Sequence, residues 1–195
     1  MAETLAGLLE RRVAEGTLYE RLAGGKLRCV ACGHRCLILD GHEGICRVRF
    51  NRGGTLFVPH GYVGALQLDP VEKKPFFHAL PGAKALSFGM LGCDFHCKNC
   101  QNWVTSQALR DPASETAGAR PEDITPKQFV DLAFRHGATI VTSTYNEPLI
   151  TSEWAVDIFR EARARGLVTS YVSNGNGTRE VLEFIRPWVD LYKVD

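Results

Sequence analysis

The 195-residue chain contains no uninterrupted apolar run approaching the roughly 18 residues that a membrane-spanning helix takes. Nor does it open with the cationic stretch and apolar run of a secretory leader, so the expected compartment is the cytoplasm. There is almost no excess of charge of either sign. Lys and Arg number 23, Asp and Glu 22, the net charge is +1, and no dense basic block traces a phosphate backbone. Membrane and nucleic acid therefore drop out as expected partners. What the chain does have is 45% apolar residues, enough for a packed core in one domain plus a small appendage, and seven cysteines.

The cysteines fall in two groups, Cys29, Cys32, Cys36 and Cys46 near the front and Cys93, Cys97 and Cys100 at mid-chain. In a reducing compartment such clusters are more often metal ligands or redox groups than disulfides, and an odd total fits complete pairing poorly. The front group is Cys-x2-Cys-x3-Cys-x9-Cys. Four thiolates this close suit a structural zinc that braces a segment too small for its own core. They equally suit a second iron–sulfur cluster, or stay unliganded, and the spacing leaves these readings open. His34 and His42 lie among them and are expected to be loop residues.

Three regions are expected. Residues 1–26 form a leading helix, with Leu5, Leu8, Leu9 and Val13 at helical spacing over about residues 3–23 before Gly24 and Gly25. Residues 27–82 form a Cys-rich metal-binding module with short β-prone runs at 56–58 and 62–68. Residues 83–195 alternate strands and helices. Strands are expected at 85–91, 138–143, 167–172 and 189–194, with a long loop at 93–123 and helices at 125–137, 149–165 and 178–186. Thr125, Pro126 and Gln128 supply an N-cap, a first-turn proline and the capping-box partner. Trp154, Ile158 and Ala162 share a helix face and belong to the core.

Strands separated by helices pair in parallel, which gives an α/β class. In such sheets ligands collect beyond the carboxyl ends of the strands. The conspicuous segments all fall there: 93–100, Tyr145-Asn146-Glu147-Pro148, and Ser173-Asn174-Gly175-Asn176-Gly177. The chain stops at Asp195, directly after the fourth strand, where a curved sheet has neither closed nor covered its last edge, so the expected form is truncated.

Cys93-x3-Cys97-x2-Cys100 in a loop after a strand places three thiolates where they can converge on one face of a 4Fe-4S cubane, leaving one iron without a protein ligand. The same residues admit a zinc site completed by His96 or a distant side chain, or plain buried thiols.

These residues carry a family resemblance. The Cys93–Cys97–Cys100 motif resembles the cluster motif of radical S-adenosylmethionine (radical SAM) enzymes, and Cys100-Gln101-Asn102-Trp103 looks like the branch related to pyruvate formate-lyase activating enzymes. More narrowly, Asp69-Pro70-Val71-Glu72-Lys73-Lys74-Pro75, Phe77-His78, Pro81-Gly82, the cluster and Tyr145-Asn146-Glu147-Pro148 are together similar to the AmmeMemoRadiSam-system radical SAM proteins, over about residues 27–195. The resemblance implies a partial (β/α) barrel of radical SAM type, truncated after its fourth strand, behind the small Cys-rich N-terminal module.

It also implies an oxidoreductase chemistry. SAM would chelate the open iron, and one electron from the cluster would cleave it to methionine and a 5′-deoxyadenosyl radical that abstracts a substrate hydrogen. The cofactor carries that chemistry, so no side chain is assigned a catalytic role of its own. Glu147, with Tyr145 and Asn146, matches the motif that holds the SAM amino group. Ser173 and Asn174 stand where ribose or carboxylate contacts are expected, and Asp195 where related enzymes place an acidic residue near the SAM carboxylate. Asn99 replaces the aromatic residue usual before the last cysteine, and Phe95 or Trp103 is left to supply the adenine contact. Lys73, Lys74 and His78 read as solvated surface or, failing that, as groups approaching SAM or substrate. Implied partners are a small-molecule or protein substrate and an electron donor such as flavodoxin or ferredoxin. Two further readings remain: a glycyl-radical-enzyme activating enzyme, and a non-catalytic iron–sulfur relay.

Overall fold

The computed structural model describes residues 4–195. The chain runs α1 (Leu5–Glu10), β1 (Val13–Glu15), β2 (Tyr19–Arg21), β3 (Leu27–Cys29), β4 (Leu37–Ile38), β5 (Phe50–Arg52), β6 (Thr55–Pro59), β7 (Tyr62–Val63), β8 (Ala65–Pro70) and β9 (Lys84–Gly89). It continues through α2 (Trp103–Ser106), α3 (Pro112–Thr116), β10 (Glu122–Asp123), α4 (Pro126–Arg135), β11 (Ile140–Ser143), α5 (Ser152–Ala164), β12 (Val168–Ser173), α6 (Arg179–Ile185) and β13 (Leu191–Val194). The class is mixed α/β.

The main sheet has the order β13-β12-β11-β9-β8, with four parallel strands and β8 antiparallel on the edge. Among the described residues it does not close into a barrel. Because side chains alternate across a strand, its two faces differ. Phe88 meets Phe129 of α4 at 5.0 Å and Phe159 of α5 at 6.2 Å between ring centroids, and Phe159 meets Tyr171 of β12 at 5.6 Å. That face is the core, and Trp154, Ile158 and Ala162 are buried in it as expected. On the other face Ser87, Thr142 and Ser170 stand in register across β9, β11 and β12, with a hydroxyl bond of 2.7 Å between the last two.

Local signals explain the best-placed elements. Thr125 Oγ1 accepts from the Gln128 N–H at 3.2 Å while Gln128 Oε1 accepts from the Thr125 N–H at 2.9 Å, so α4 opens on a reciprocal capping box. Asp111 and Thr178 cap α3 and α6 by accepting from the Ala113 and Val181 N–H groups.

Three expectations are corrected. The leading helix, expected over 1–26, ends at Glu10, and the chain then enters β1 and β2; residues 1–3 of that expectation lie outside the described residues. Val13–Glu15 pair instead with Phe57–Pro59, and a side chain at Gly16 would stand 2.5 Å from Val58. Tertiary pairing has overridden helical spacing. The boundary at residue 82 does not separate two bodies, since β8 of the Cys-rich region is an integral strand of the main sheet through six residue pairs with β9. Finally, the 93–123 connection is not simply a loop but contains α2, α3 and β10. Among the described residues no helix is long and apolar enough to cross a membrane.

Candidate functional site

The three segments expected beyond the strand ends do meet. β9 leads through Gly92 into the cysteine segment, and Gly92 has φ +89°, with a Cβ there lying 2.7 Å from Val48 and 2.9 Å from the Cys46 carbonyl. Only glycine fits that approach. The next residue, Cys93, is half-buried. Burial pushes its thiol up to about 12, the Phe95 N–H opposes this, and the charges of Asp94 and Glu147 add to it.

Glu147 occupies the junction between β11 and β12. Its Oε1 accepts from the Leu149 N–H at 3.0 Å and the Ser173 hydroxyl at 2.7 Å, and Oε2 accepts from the Asn174 N–H at 2.7 Å. The carboxylate thus caps the turn Pro148–Thr151 and also clamps the loop after β12. Burial raises its pKa to about 7 against the lowering effect of those three donors. Ser173 Oγ in turn accepts from the Gly175 N–H at 3.0 Å and from Tyr192 at 2.9 Å.

Asp94 joins the cysteine segment to the third loop. Its Oδ1 accepts from Asn174 Nδ2 at 2.8 Å and its Oδ2 from Asn176 Nδ2 at 2.9 Å, and the residue is only 2% exposed. On the outer side an open groove lined by His34, Gly44, Ile45, Asp94, Phe95 and Arg110 separates this segment from the front module. Arg110 stitches its walls, donating to the carbonyls of Ile45 and, at 2.9 Å, Phe95.

No family model matches the sequence. The chain is 35% identical over 182 residues, 93% of its length, to an uncharacterized protein, MJ0808, of Methanocaldococcus jannaschii. It spans 52%, about half, of that relative's length. Since that relative is itself uncharacterized, the similarity brings no activity with it.

Of the residues singled out in sequence, Cys93, Glu147, Ser173 and Asn174 are brought together. Asn146 lies beside them, its Oδ1 accepting from the Met90 N–H at 3.0 Å and so fixing the loop to the end of β9. Tyr145 diverges: its hydroxyl is held by Lys74 Nζ at 2.8 Å, and burial pushes it up to about 12. Phe95 turns edge-on to His34 with centroids 5.8 Å apart, Asn99 and Cys97 are exposed, and Cys100 Sγ lies 3.2 Å from Ser106 Oγ. The exposed Asp195 reaches the site through its backbone, donating to the Ser173 carbonyl at 2.9 Å.

The surface reading of the lysines holds for Lys73 and His78, which are exposed, and fails for Lys74, which is 4% exposed and paired with Asp69 Oδ2 at 3.0 Å. Asp94 and Asn176 were missed. Neither carries a local signal, because their partnership spans 82 residues of chain. All seven cysteines are free thiols, and among the described residues no three His, Cys, Asp or Glu side chains stand closed as a metal cage. The donor set is nonetheless soft throughout, three thiols on one short loop, which suits iron–sulfur ligation in kind.

Proposed function

We propose that the chain carries the cofactor-binding part of a radical SAM enzyme, with Cys93, Cys97 and Cys100 holding a 4Fe-4S cluster and SAM bound across the neighbouring strand ends. What supports the reading is the meeting of the cysteine segment with Glu147, Ser173 and Asn174, three loops far apart in sequence, at the carboxyl ends of adjacent parallel strands. When bound, the cluster and SAM would supply one-electron cleavage of the sulfonium and hydrogen abstraction from a substrate.

The chain's own residues have narrower tasks. Glu147 Oε2 accepts one bond within the chain and retains lone-pair capacity for an ammonium group. Ser173 and Asn174 fix that carboxylate, and Asp94 ties the cysteine loop to Asn174 so that ligand loop and cofactor loop keep one spacing. The half-buried Cys93 and exposed Cys97 give the ligand loop one dry end and one end open to an electron donor.

The test is electron paramagnetic resonance on anaerobically reconstituted, reduced protein with and without SAM, alongside iron counts for the protein and its Cys97→Ala variant. The expected result is a cluster signal that shifts with SAM and is lost in the variant. A signal indifferent to SAM would replace this reading with an electron-relay module, and no cluster at the mid-chain cysteines would end it.

A further inference from the structure

We propose that Cys29, Cys32, Cys36 and Cys46 bind a single structural zinc ion, which fixes the front module against the loops of the candidate site. The placement of the four residues carries this. In the β3–β4 hairpin Leu27 pairs with Ile38 and Arg28 with Leu37, and the Cys29 N–H donates to the Cys36 carbonyl at 3.0 Å. Cys29 and Cys36 therefore face each other at the last rung, with Cα atoms about 5 Å apart as antiparallel partners are. Cys32 lies in the loop that joins them, where Arg35 turns the chain at φ +45°. Cys46 comes from a second loop that folds over the same end: Ile45 donates its N–H to Cys36 Sγ at 3.5 Å, and a Cβ on Gly44 would lie 3.5 Å from that sulfur.

Backbone N–H groups point at the sulfurs, that of His34 at Cys32, that of Ile45 at Cys36, and those of Val48 and Arg49 at Cys46, but burial outweighs them at Cys32 and Cys46 and pushes both thiols up. A bound metal would therefore displace their protons. Zinc with four thiolates carries a double negative charge, and the buried Arg49 guanidinium lies close enough to Cys29 and Cys46 to interact with both. Four sulfurs leave no open coordination position, and Cys29, Cys32 and Cys46 are each 5% exposed, so the site is structural rather than catalytic.

Packing favours one ion over a second cluster. Cys32 and Cys46 pack directly with Val48 and Ile150. Rotation of thiols can admit a single atom there, whereas a cubane would displace that apolar contact. Strands β3 to β6, which carry these loops, have two to five residues, too little to hold loops of this length by hydrogen bonds alone. The loop so fixed is the one whose Gly33 N–H donates to the Asn176 carbonyl at 2.8 Å, and Asn176 holds Asp94.

The test counts zinc and iron per chain in the protein, in Cys29→Ser and Cys46→Ser, and in the triple Cys93→Ala/Cys97→Ala/Cys100→Ala variant. One zinc is expected in the protein and in the triple variant, and none in the front variants. Cobalt in its place should give the visible bands of a tetrahedral tetrathiolate. Because a front variant can fail to fold, the folded protein is also titrated with a mercurial in the presence of a zinc-sensitive dye, where zinc release must track blocking of four thiols. Iron in place of zinc at the front cysteines, no metal there, or release unrelated to thiol blocking would each overturn the proposal. Failure of the radical SAM reading would appear separately, as a SAM-indifferent mid-chain signal with the zinc count unchanged.

Discussion

A buried ion pair crosses the joint between the front module and the α/β sheet, and breaking it should be costly. Arg49, 1% exposed, makes a bidentate contact with Glu153 of α5, Nη1 to Oε2 and Nη2 to Oε1 both at 2.8 Å, and also donates to the Ile150 carbonyl at 2.9 Å. Glu153 Oε1 further accepts from the N–H groups of Thr17 and Leu18 at 3.3 and 3.4 Å. Removing one partner strands the other charge in the interior, which costs about 3–5 kcal/mol, whereas replacing both by apolar groups of similar volume is often near neutral. Arg49→Met and Glu153→Leu should each lower stability by that amount, and the double variant should lose far less than their sum. With a urea slope of about 2 kcal/mol per molar, each single variant's midpoint falls by about 1.5–2.5 M. The pH dependence has a definite sign. Burial alone would raise the Glu153 carboxyl, but the charge and hydrogen bonds of Arg49 overcome it and hold the group below the usual carboxylate range. Its stabilising contribution is therefore fully present above about pH 4.3, the unfolded value, and is lost as pH falls through the lower folded value. Glu153→Gln should flatten that acid limb. Single variants that cost under about 1 kcal/mol, with strictly additive effects in the double, would refute the account.

Two smaller perturbations address the site. Glu147→Gln removes the charge that would face the SAM amino group, and a charged hydrogen bond of about 1.5–3 kcal/mol corresponds to a rise in Kd of about 10- to 150-fold, read by calorimetry under argon with the cluster absorbance unchanged; an unaltered Kd takes Glu147 out of the site. Gly33→Ala sets a Cβ 2.2 Å from Asn176 Oδ1, so Asn176 must swing away and release its 2.9 Å bond to Asp94. The expected loss is about 1–2 kcal/mol in a denaturant melt, and no loss would mean that Asp94 does not depend on Asn176.

What could be read in sequence was what is decided locally. The capping box at Thr125 and the rhythm of strands and helices after residue 83 need no distant partner, and each falls within a few residues of its expected bounds. The leading helix failed for the opposite reason: Leu5 to Val13 have helical spacing, yet the backbone of Val13–Glu15 is claimed by β6, some forty residues on. Lys74 shows the same limit for charge. Adjacent lysines ordinarily share one solvated fate, but here Lys73 stays outside while Lys74 is turned under by the short helical turn Val71–Lys73 to meet Asp69 and Tyr145. At the site, strand-end position pointed to the two loops at 145–148 and 173–177, and the family resemblance singled out Glu147, Ser173 and Asn174 within them. Asp94 escaped because its contacts arise only when two loops 80 residues apart are already in place.

That turned-under lysine gives physical content to the Asp69–Pro75 motif. Tyr145 has φ +71°, a left-handed backbone that costs a non-glycine residue on the order of 1–3 kcal/mol unless its surroundings hold it. They do so from two sides. Lys74 Nζ hydrogen-bonds the Tyr145 hydroxyl at 2.8 Å and lies 4.6 Å from the ring centroid, anchored in turn by Asp69. Opposite, Gly89 leaves room that any side chain would fill, since a Cβ there would stand 2.4 Å from the Thr144 carbonyl and 2.9 Å from Tyr145 Cβ. With the backbone reversed at Tyr145, Asn146 reaches the Met90 N–H and Glu147 reaches Ser173 and Asn174. The motif thus acts on the candidate site through one strained residue. Its lysine holds the turn that aims the carboxylate, and loss of that lysine would be felt at Glu147 without any contact between the two.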